Sequence, residues 1–509
     1  MWNIDEFLSG LNIDLDRLRD VFTYDPQAPM IFSSGIFLWL FVAFILVYLL
    51  LQRRTTARLL FVTLFSYYFY YKSSGTYFFL LGLVTVCDFF IACLMAREAI
   101  PWLRKAWVVL SLFINLGLLC YFKYTNFLGE TFASLTGGTF TTMDIFLPVG
   151  ISFFTFQSLS YTIDVYRRQI TPLGSLLDYA FYVSFFPQLV AGPIVRARDF
   201  IPQIRRPLFV SREMFGRGIF LIVSGLFKKA VISDYISVNF VERIFDNPTL
   251  YSGVENLMGV YGYALQIYCD FSGYSDMAIG IALLLGFHFN KNFDSPYKSA
   301  SITEFWRRWH ISLTTWFRDY IYIPLGGSRA GKWKSFRNTL VIFLVSGFWH
   351  GANWTFVAWG AYHALLFLPL LLLGQNRRYR DSVAENSFLP SVKELTQMGA
   401  TFLLVLLGWI LFRSEDISQA AVYLERMFNV SLFSAPQLVG LGFGQLLLKK
   451  CFFFTALMFV VEWIGRKQAH GLMIEDLSLP VRYVIYTVLL IIIYGFDASN
   501  PQGFIYFQF

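Results

Sequence analysis

The sequence predicts an all-α fold: a polytopic helical membrane protein of about 11–13 membrane helices, plus short re-entrant helices. Three observations carry that reading. Hydrophobic residues make up 56% of the 509 and charged residues only 15%, against about 25% charge in soluble domains. Residues 339–373 contain no Asp, Glu, Lys or Arg. A straight helix of that length would extend roughly 52 Å at about 1.5 Å per residue, well beyond a hydrocarbon core of about 30 Å, so the run must bend, break or cross twice. Finally, apolar runs end in arginines and in aromatic residues (57 Phe, 29 Tyr, 13 Trp), as interfacial belts do. The net charge of +8 reads as positive-inside loops against a lipid bilayer, and no nucleic-acid-binding motif accompanies it.

Taken in order, residues 1–29 carry Asp5, Glu6, Asp14, Asp16, Asp20 and Asp25 against Arg17 and Arg19, the reverse of a signal peptide's basic start. Phe7, Leu8, Leu11, Leu15, Leu18 and Phe22 recur at helical spacing. They predict an amphipathic helix on the membrane surface, with partner docking as the rival reading. Residues 30–509 then form a single membrane-embedded domain. The run 31–51 precedes Arg53, Arg54 and Arg58, which puts that end in the cytoplasm and the N-terminus outside. Runs at 59–71, 76–96, 107–122 and 145–163 alternate in agreement with Arg97, Arg104, Lys105, Arg167 and Arg168. After 179–195 the alternation fails: it would put Arg196, Arg198, Arg205 and Arg206 outside. A re-entrant segment around Pro187 and Gly192-Pro193 restores them to the cytoplasm. The runs 218–232, 256–269 and 277–289 are short and Gly-interrupted, pointing to a wet or funnel-shaped centre. Residues 339–373 break at Gly347–Gly351, 374–395 is a polar loop, and 396–412, 451–465 and 483–496 are ordinary spans.

His350 lies between Trp349 and Gly351 in the uncharged run. Apolar surroundings favour a neutral imidazole, which can take a proton from a hydroxyl attacking an acyl thioester; a packed core histidine is the other reading. His310 follows Arg307, Arg308 and Trp309 and reads as an interfacial histidine or the second member of a catalytic pair. His363 reads as core, and His288 and His470 as incidental. Asp270 and Asp276 flank small residues in YCDFSGYSDMAIG (268–280). They suit an ion site, a partner that orients a histidine, or acceptors for the amides of a broken helix. Glu304 is at helical spacing from Arg307 and Arg308. In GGSRAGKWKSFRN (326–338), Gly326 to Lys332 fits part of a phosphate-binding loop, but Trp333 replaces the required Ser or Thr, which excludes nucleotide hydrolysis. Arg329 and Lys332 remain as contacts for the phosphates of an acyl carrier, or as plain positive-inside charges. The five cysteines form no Cys-x-x-Cys and read as small buried hydrophobes; no metal site or bound cofactor is expected.

Long stretches then carry a resemblance: MIFSSGIFLWLF (30–41), LPVGISFFTFQSLSYTIDVYR (147–167), FFPQLVAGPIVR (185–196), YCDFSGYSDMAIGIALLLGFHFNKNFDSPY (268–297), EFWRRWHISLTTWFRDYIYIPLGG (304–327), FWHGANWTFVAWG (348–360) and FIYFQF (504–509). In these the chain resembles the membrane-bound O-acyltransferase family, in its bacterial alginate O-acetyltransferase branch. The resemblance implies a catalytic histidine at His350, a second at His310, and a funnel that Trp349, Asn353, Asp270 and Asp276 would line or orient. It implies acetyl-CoA or another acyl thioester as co-substrate and multi-pass residence in the bacterial cytoplasmic (inner) membrane. It further implies a periplasmic or extracellular acyl-transfer partner protein and a polysaccharide acceptor. The rivals are alanyl or other acyl transfer to a cell-wall polymer, a transporter or export channel built on Asp270 and Asp276, and a non-catalytic scaffold.

Overall fold

A chain in hydrocarbon has no water to satisfy its amides, so apolar runs must close their hydrogen bonds within helices or bury any irregular backbone in protein. The computed structural model of the chain describes residues 21–26, 29–329, 331–374, 383–437, 446–468, 474, 477–496 and 503–505. The amphipathic helix expected over 1–29, apart from 21–26 and 29, lies outside the described residues, as does His470. Contacts divide the chain into two units, each assembled from separated stretches. One holds Met1–Phe122, Asp144–Val190 and Arg196–Phe209; the other holds Lys123–Met143, Ala191–Val195 and Val210–Phe509.

The first unit opens with α1 (Gly35–Leu50), capped by the Ser34 hydroxyl. It continues through α2 (Thr55–Ser74), α3 (Phe78–Arg97) and α4 (Pro101–Leu119). A π-helical turn, Cys120–Tyr124, leads from α4 into α5 (Thr125–Thr136) in the second unit. Large apolar side chains stay exposed along α1, with Trp39 at 80% and Leu50 at 83%, as a lipid-facing helix requires. After α6 (Ile151–Tyr166) come α7 (Leu176–Ser184), α8 (Phe186–Leu189), an irregular stretch and α9 (Ala197–Ile204). The nine residues of α7 are too few to cross a bilayer. Phe186 pins α8 among Phe44, Phe65 and Phe69, with ring centroids 5.4, 5.1 and 5.9 Å away. Arg58 is buried rather than displayed in a loop; it donates to the carbonyls of Gln52 (3.2 Å) and Arg206 (3.1 Å). That bond brings the 52–58 and 196–206 segments to the same end of the unit, as the re-entrant reading requires.

In the second unit, α10 (Arg212–Phe227) runs into two π-helical turns, Lys228–Asp234 and Ser237–Val241, and then α11 (Glu242–Phe245). The two short runs expected at 256–269 and 277–289 prove to be one 32-residue helix, α12 (Gly253–Leu284), opened by a Ser252/Glu255 capping box. Its glycines mark close packing rather than a break. A Cβ on Gly273 would meet the Gly225 carbonyl at 2.7 Å, and one on Gly280 would meet that of Gly218 at 2.6 Å. Glycines two turns apart on each helix thus meet in reversed order, so α10 and α12 pack antiparallel with their backbones in contact. Most of α12 is buried, so it serves as the axis of this unit.

Two short helices follow, α13 (Ile302–Arg308) and α14 (Ile311–Phe317), then a π-helical turn at Arg318–Tyr322. The uncharged run forms a helical hairpin. α15 (Lys332–His350) starts within the segment expected to be a basic loop, Gly351 is extended, and Asn353 caps α16 (Trp354–Leu372). Gly347 packs on the Phe356 carbonyl and Gly360 on that of Phe343, leaving no room for a Cβ at either. The chain continues through α17 (Val392–Arg413), α18 (Ile417–Met427), α19 (Leu446–Ile464) and α20 (Leu479–Gly495). Among the described residues, four continuous helical stretches are long and apolar enough to cross a membrane: Thr55–Arg97, Pro101–Thr136, Trp354–Leu372 and Val392–Arg413. The first two each span two helices, and Gly35–Leu50 and Leu479–Gly495 are shorter apolar helices. The expected 11–13 therefore depends on counting short and π-interrupted helices.

Exposed Thr142 lies between α5 and α6, and Phe209, 73% exposed, follows α9. With all native cysteines removed, Thr142→Cys should react with an impermeant maleimide in intact cells, and Phe209→Cys only after permeabilisation. Labelling of both in intact cells would rule out the re-entrant segment.

Candidate active site

Helix α13 opens on the Ser301 hydroxyl, which accepts the Glu304 amide. It ends in Arg308, whose guanidinium donates to Glu304 (2.9 Å), the i,i+4 pair the spacing predicted, and to Asp294 (3.2 Å). Two backbone bonds then tie 308–311 to the preceding loop: Asp294 N–H to Arg308 O and Ile311 N–H to Asn292 O, both 2.9 Å. Between them His310 sits at φ 43°, ψ 56°, a left-handed conformation rare for a residue with a Cβ and sustained here by its surroundings. It is not interfacial. Only 1% of it is exposed, because the left-handed turn carries the ring away from the arginine side and into the core.

The Asn292 side chain orients that ring. Its Oδ1 accepts the Ser312 N–H (3.1 Å) and the Ser312 Oγ–H (2.9 Å), and lies 3.2 Å from His310 Nδ1; its Nδ2 donates to Ser275 Oγ (3.1 Å). An oxygen already accepting two donors faces Nδ1, so Nδ1 carries the proton and Nε2 keeps a lone pair. Phe271 packs edge-on at 4.6 Å.

His350 is the last residue of α15 and is 3% exposed. Its ring meets Trp349 (4.8 Å), Trp359 (5.2 Å) and Phe412 (5.2 Å), all edge-to-face. Trp349 also lies 6.2 Å from the His310 ring. Two histidines separated by forty positions in the chain thus share one tryptophan in the buried interior. His363 is packed between Trp306 and Trp359, each 5.0 Å away, and His288 is exposed.

The other predicted residues disperse. Asp270 pairs with Lys229 (2.7 Å), which also holds Asp234 (2.7 Å), and its other oxygen accepts the Ile505 amide (2.7 Å). Asp276 pairs with Lys228 (2.9 Å). Both aspartates thus have lysine partners in the π-helical turn after α10, Asp276 in a pair with Lys228 and Asp270 sharing Lys229 with Asp234. Asn353 is the N-cap of α16 and donates to the Glu415 carbonyl (2.5 Å). Arg329 is exposed, and exposed Lys332 donates to the Leu372 carbonyl (2.9 Å) at the end of α16.

Two cavities lie in this unit, and neither histidine is among the residues lining them. One, of about 240 Å³, follows two turns of α15 from Thr339 to Ser346, one turn before His350, with Arg318 and Tyr322 in its lining. The other, of about 330 Å³, is lined by Lys228, Asp276, Tyr268 and Phe293, and the Phe293 ring stacks 6.4 Å from His310. Sequence reasoning missed Asn292, one of two asparagines between Phe289 and Phe293, and Lys123, a lone cation at the end of an apolar run.

The family model for membrane-bound O-acyltransferases matches residues 64–388. The chain is similar to a probable alginate O-acetylase of Pseudomonas aeruginosa, 38% identical over 82% of this chain and 80% of the relative. It is also similar to the Pseudomonas putida protein of the same description, 39% identical over 68% and 70%. The peptidoglycan O-acetyltransferase of Helicobacter pylori is 36% identical over 68% and 69%.

Removing one partner of a buried ion pair strands the other charge. Lys229→Met should cost about 3–5 kcal/mol in denaturant unfolding in detergent, and Lys229→Met combined with Asp270→Leu should lose less. Equal loss in the two would show that Asp270 does not depend on this lysine.

Proposed function

The chain belongs to the membrane-bound O-acyltransferase family, and from that premise we propose that it moves an acetyl group from a cytoplasmic thioester, acetyl-CoA, towards hydroxyls of a polysaccharide outside the bacterial inner membrane. The observation that carries the reading is the pair of buried histidines on either side of Trp349, at the two positions where the family resemblance puts catalytic residues. The relatives' descriptions name two acceptors, alginate and peptidoglycan, at 38% and 36% identity, so the acceptor is proposed only as an extracytoplasmic polysaccharide. A periplasmic or extracellular partner protein would complete delivery to the polymer.

In this mechanism His350 takes the proton of the acceptor hydroxyl as its oxygen attacks the thioester carbonyl carbon. The C–S bond then breaks and the thiolate leaves, to be protonated in turn. A water-poor site favours this step, since a neutral imidazole accepts a proton readily and water does not compete with the acceptor. His310, with Nε2 unprotonated, accepts a hydrogen bond from donor or acceptor and positions it. The donor arm would enter along the cavity beside α15, with Arg318, Arg329 and Lys332 as the cations for its phosphates. The transporter reading loses its support, because Asp270 and Asp276 have lysine partners.

In purified protein supplied with radiolabelled acetyl-CoA, His350→Ala should lower acetyl transfer about 10²–10⁴-fold while leaving insertion and folding intact. His310→Ala should impair transfer with a larger share of the loss in substrate binding. A folded His350→Ala protein that transfers at the wild-type rate would falsify the proposal. Replacing Arg329 and Lys332 together by Gln should raise the apparent KM for acetyl-CoA; an unchanged KM would leave the two residues with insertion and helix capping alone.

A further inference from the structure

An α-helix leaves its last four carbonyls without intrahelical donors, and α15 ends at a buried His350. The carbonyls concerned are those of Gly347, Phe348, Trp349 and His350. Gly347 O accepts the Gly351 amide at 3.4 Å. The other three are met from one place, the π-helical turn Cys120–Tyr124. Tyr124 Oη–H donates to Phe348 O at 2.7 Å, and Lys123 Nζ donates to Trp349 O at 2.5 Å and His350 O at 3.0 Å. The Tyr124 ring lies flat on Phe348, with centroids 4.1 Å apart and planes 8° apart, and the Lys123 ammonium stands 5.9 Å from the Trp349 ring centroid.

Lys123 makes no ion pair with a carboxylate among the described residues. A cation within an apolar helix is costly, and what offsets the cost here is two carbonyls at the negative end of a helix dipole and an aromatic face. The π-helical turn, a feature often associated with functional sites, contributes both residues of the contact.

We infer that Lys123 and Tyr124 are positioning residues for acyl transfer: together they clamp the end of α15 and so hold the His350 imidazole in its reactive orientation. This rests on the reading of His350 as the base. A misplacement of about 1 Å in a catalytic group costs as much as 10²-fold in rate, and the end of a helix frays when its carbonyls lose their donors.

The test uses the full-length protein in detergent with acetyl-CoA, and measures kcat, KM and the rate at which diethyl pyrocarbonate modifies His350, followed by peptide mass spectrometry. Lys123→Met should lower kcat about 10- to 100-fold and change the KM for acetyl-CoA by less than about twofold. It should also raise the His350 modification rate about 30-fold, the equilibrium change expected from losing its two hydrogen bonds. Lys123→Arg, which keeps a cation and two donors, should recover most of the activity, and Tyr124→Phe should show a smaller loss of the same kind. If Lys123→Met does not fold, Tyr124→Phe alone decides, by the same two readouts. Unchanged kcat and unchanged His350 modification in folded protein would overturn the clamp, and so would a loss confined to KM, which would make Lys123 a donor contact. The modification rate separates this from failure of the base reading: if His350→Ala stays active while Lys123→Met still exposes His350, the clamp stands and the base lies elsewhere.

Discussion

Helix α15 stops at His350 instead of running on into α16, and a helix that stops in an apolar interior presents its last carbonyls to a medium that offers no water. Those carbonyls must be met by protein, and the donors come from a distant part of the chain: Lys123 and Tyr124, in the π-helical turn between α4 and α5. Extended Gly351 and the Asn353 cap then reverse the chain into α16. Once the break is stabilised in this way, a histidine can sit at a helix end in the protein interior with its ring held by three aromatic neighbours.

Close backbone contact is the second requirement. In the α10/α12 seam, and again in the α15/α16 hairpin, glycine backbones touch carbonyls of the facing helix, so a methyl group at Gly225, Gly273, Gly347 or Gly360 would force the helices apart. Small residues suit interfaces in lipid, where no hydrophobic drive separates protein from its surroundings and van der Waals contact must do more of the holding. The seam also sets the charges. Lys228 and Lys229 follow α10 directly and reach Asp276 and Asp270 on α12, so the continuation of the partner helix supplies a cation to each of these aspartates.

The two histidines reach the same tryptophan by different routes. His350 arrives by helix termination. His310 arrives by a left-handed residue between two short helices, locked by two backbone bonds and by Asn292, which also selects the tautomer. The Glu304–Arg308 and Arg308–Asp294 pairs keep the preceding arginine out of this turn and in contact with acids.

Sequence alone determined the membrane class and the break in residues 339–373, and it singled out His310 and His350, which the structure brings to one tryptophan. These follow from local quantities: run length, charge at run ends, glycines beside a histidine. It misread 256–289 as two short runs, because Gly273 and Gly280 look like helix breakers until a facing glycine helix explains them. It placed His310 at an interface, because the neighbouring arginines suggest water and a left-handed turn cannot be read from residue types. The partners of Asp276 and Asp270, Lys228 and Lys229, were not readable from the sequence. Tertiary structure decided each of these, since every one depends on a contact between residues far apart in the chain. Run length and composition show which groups enter the membrane, but only packing shows what each of them meets there.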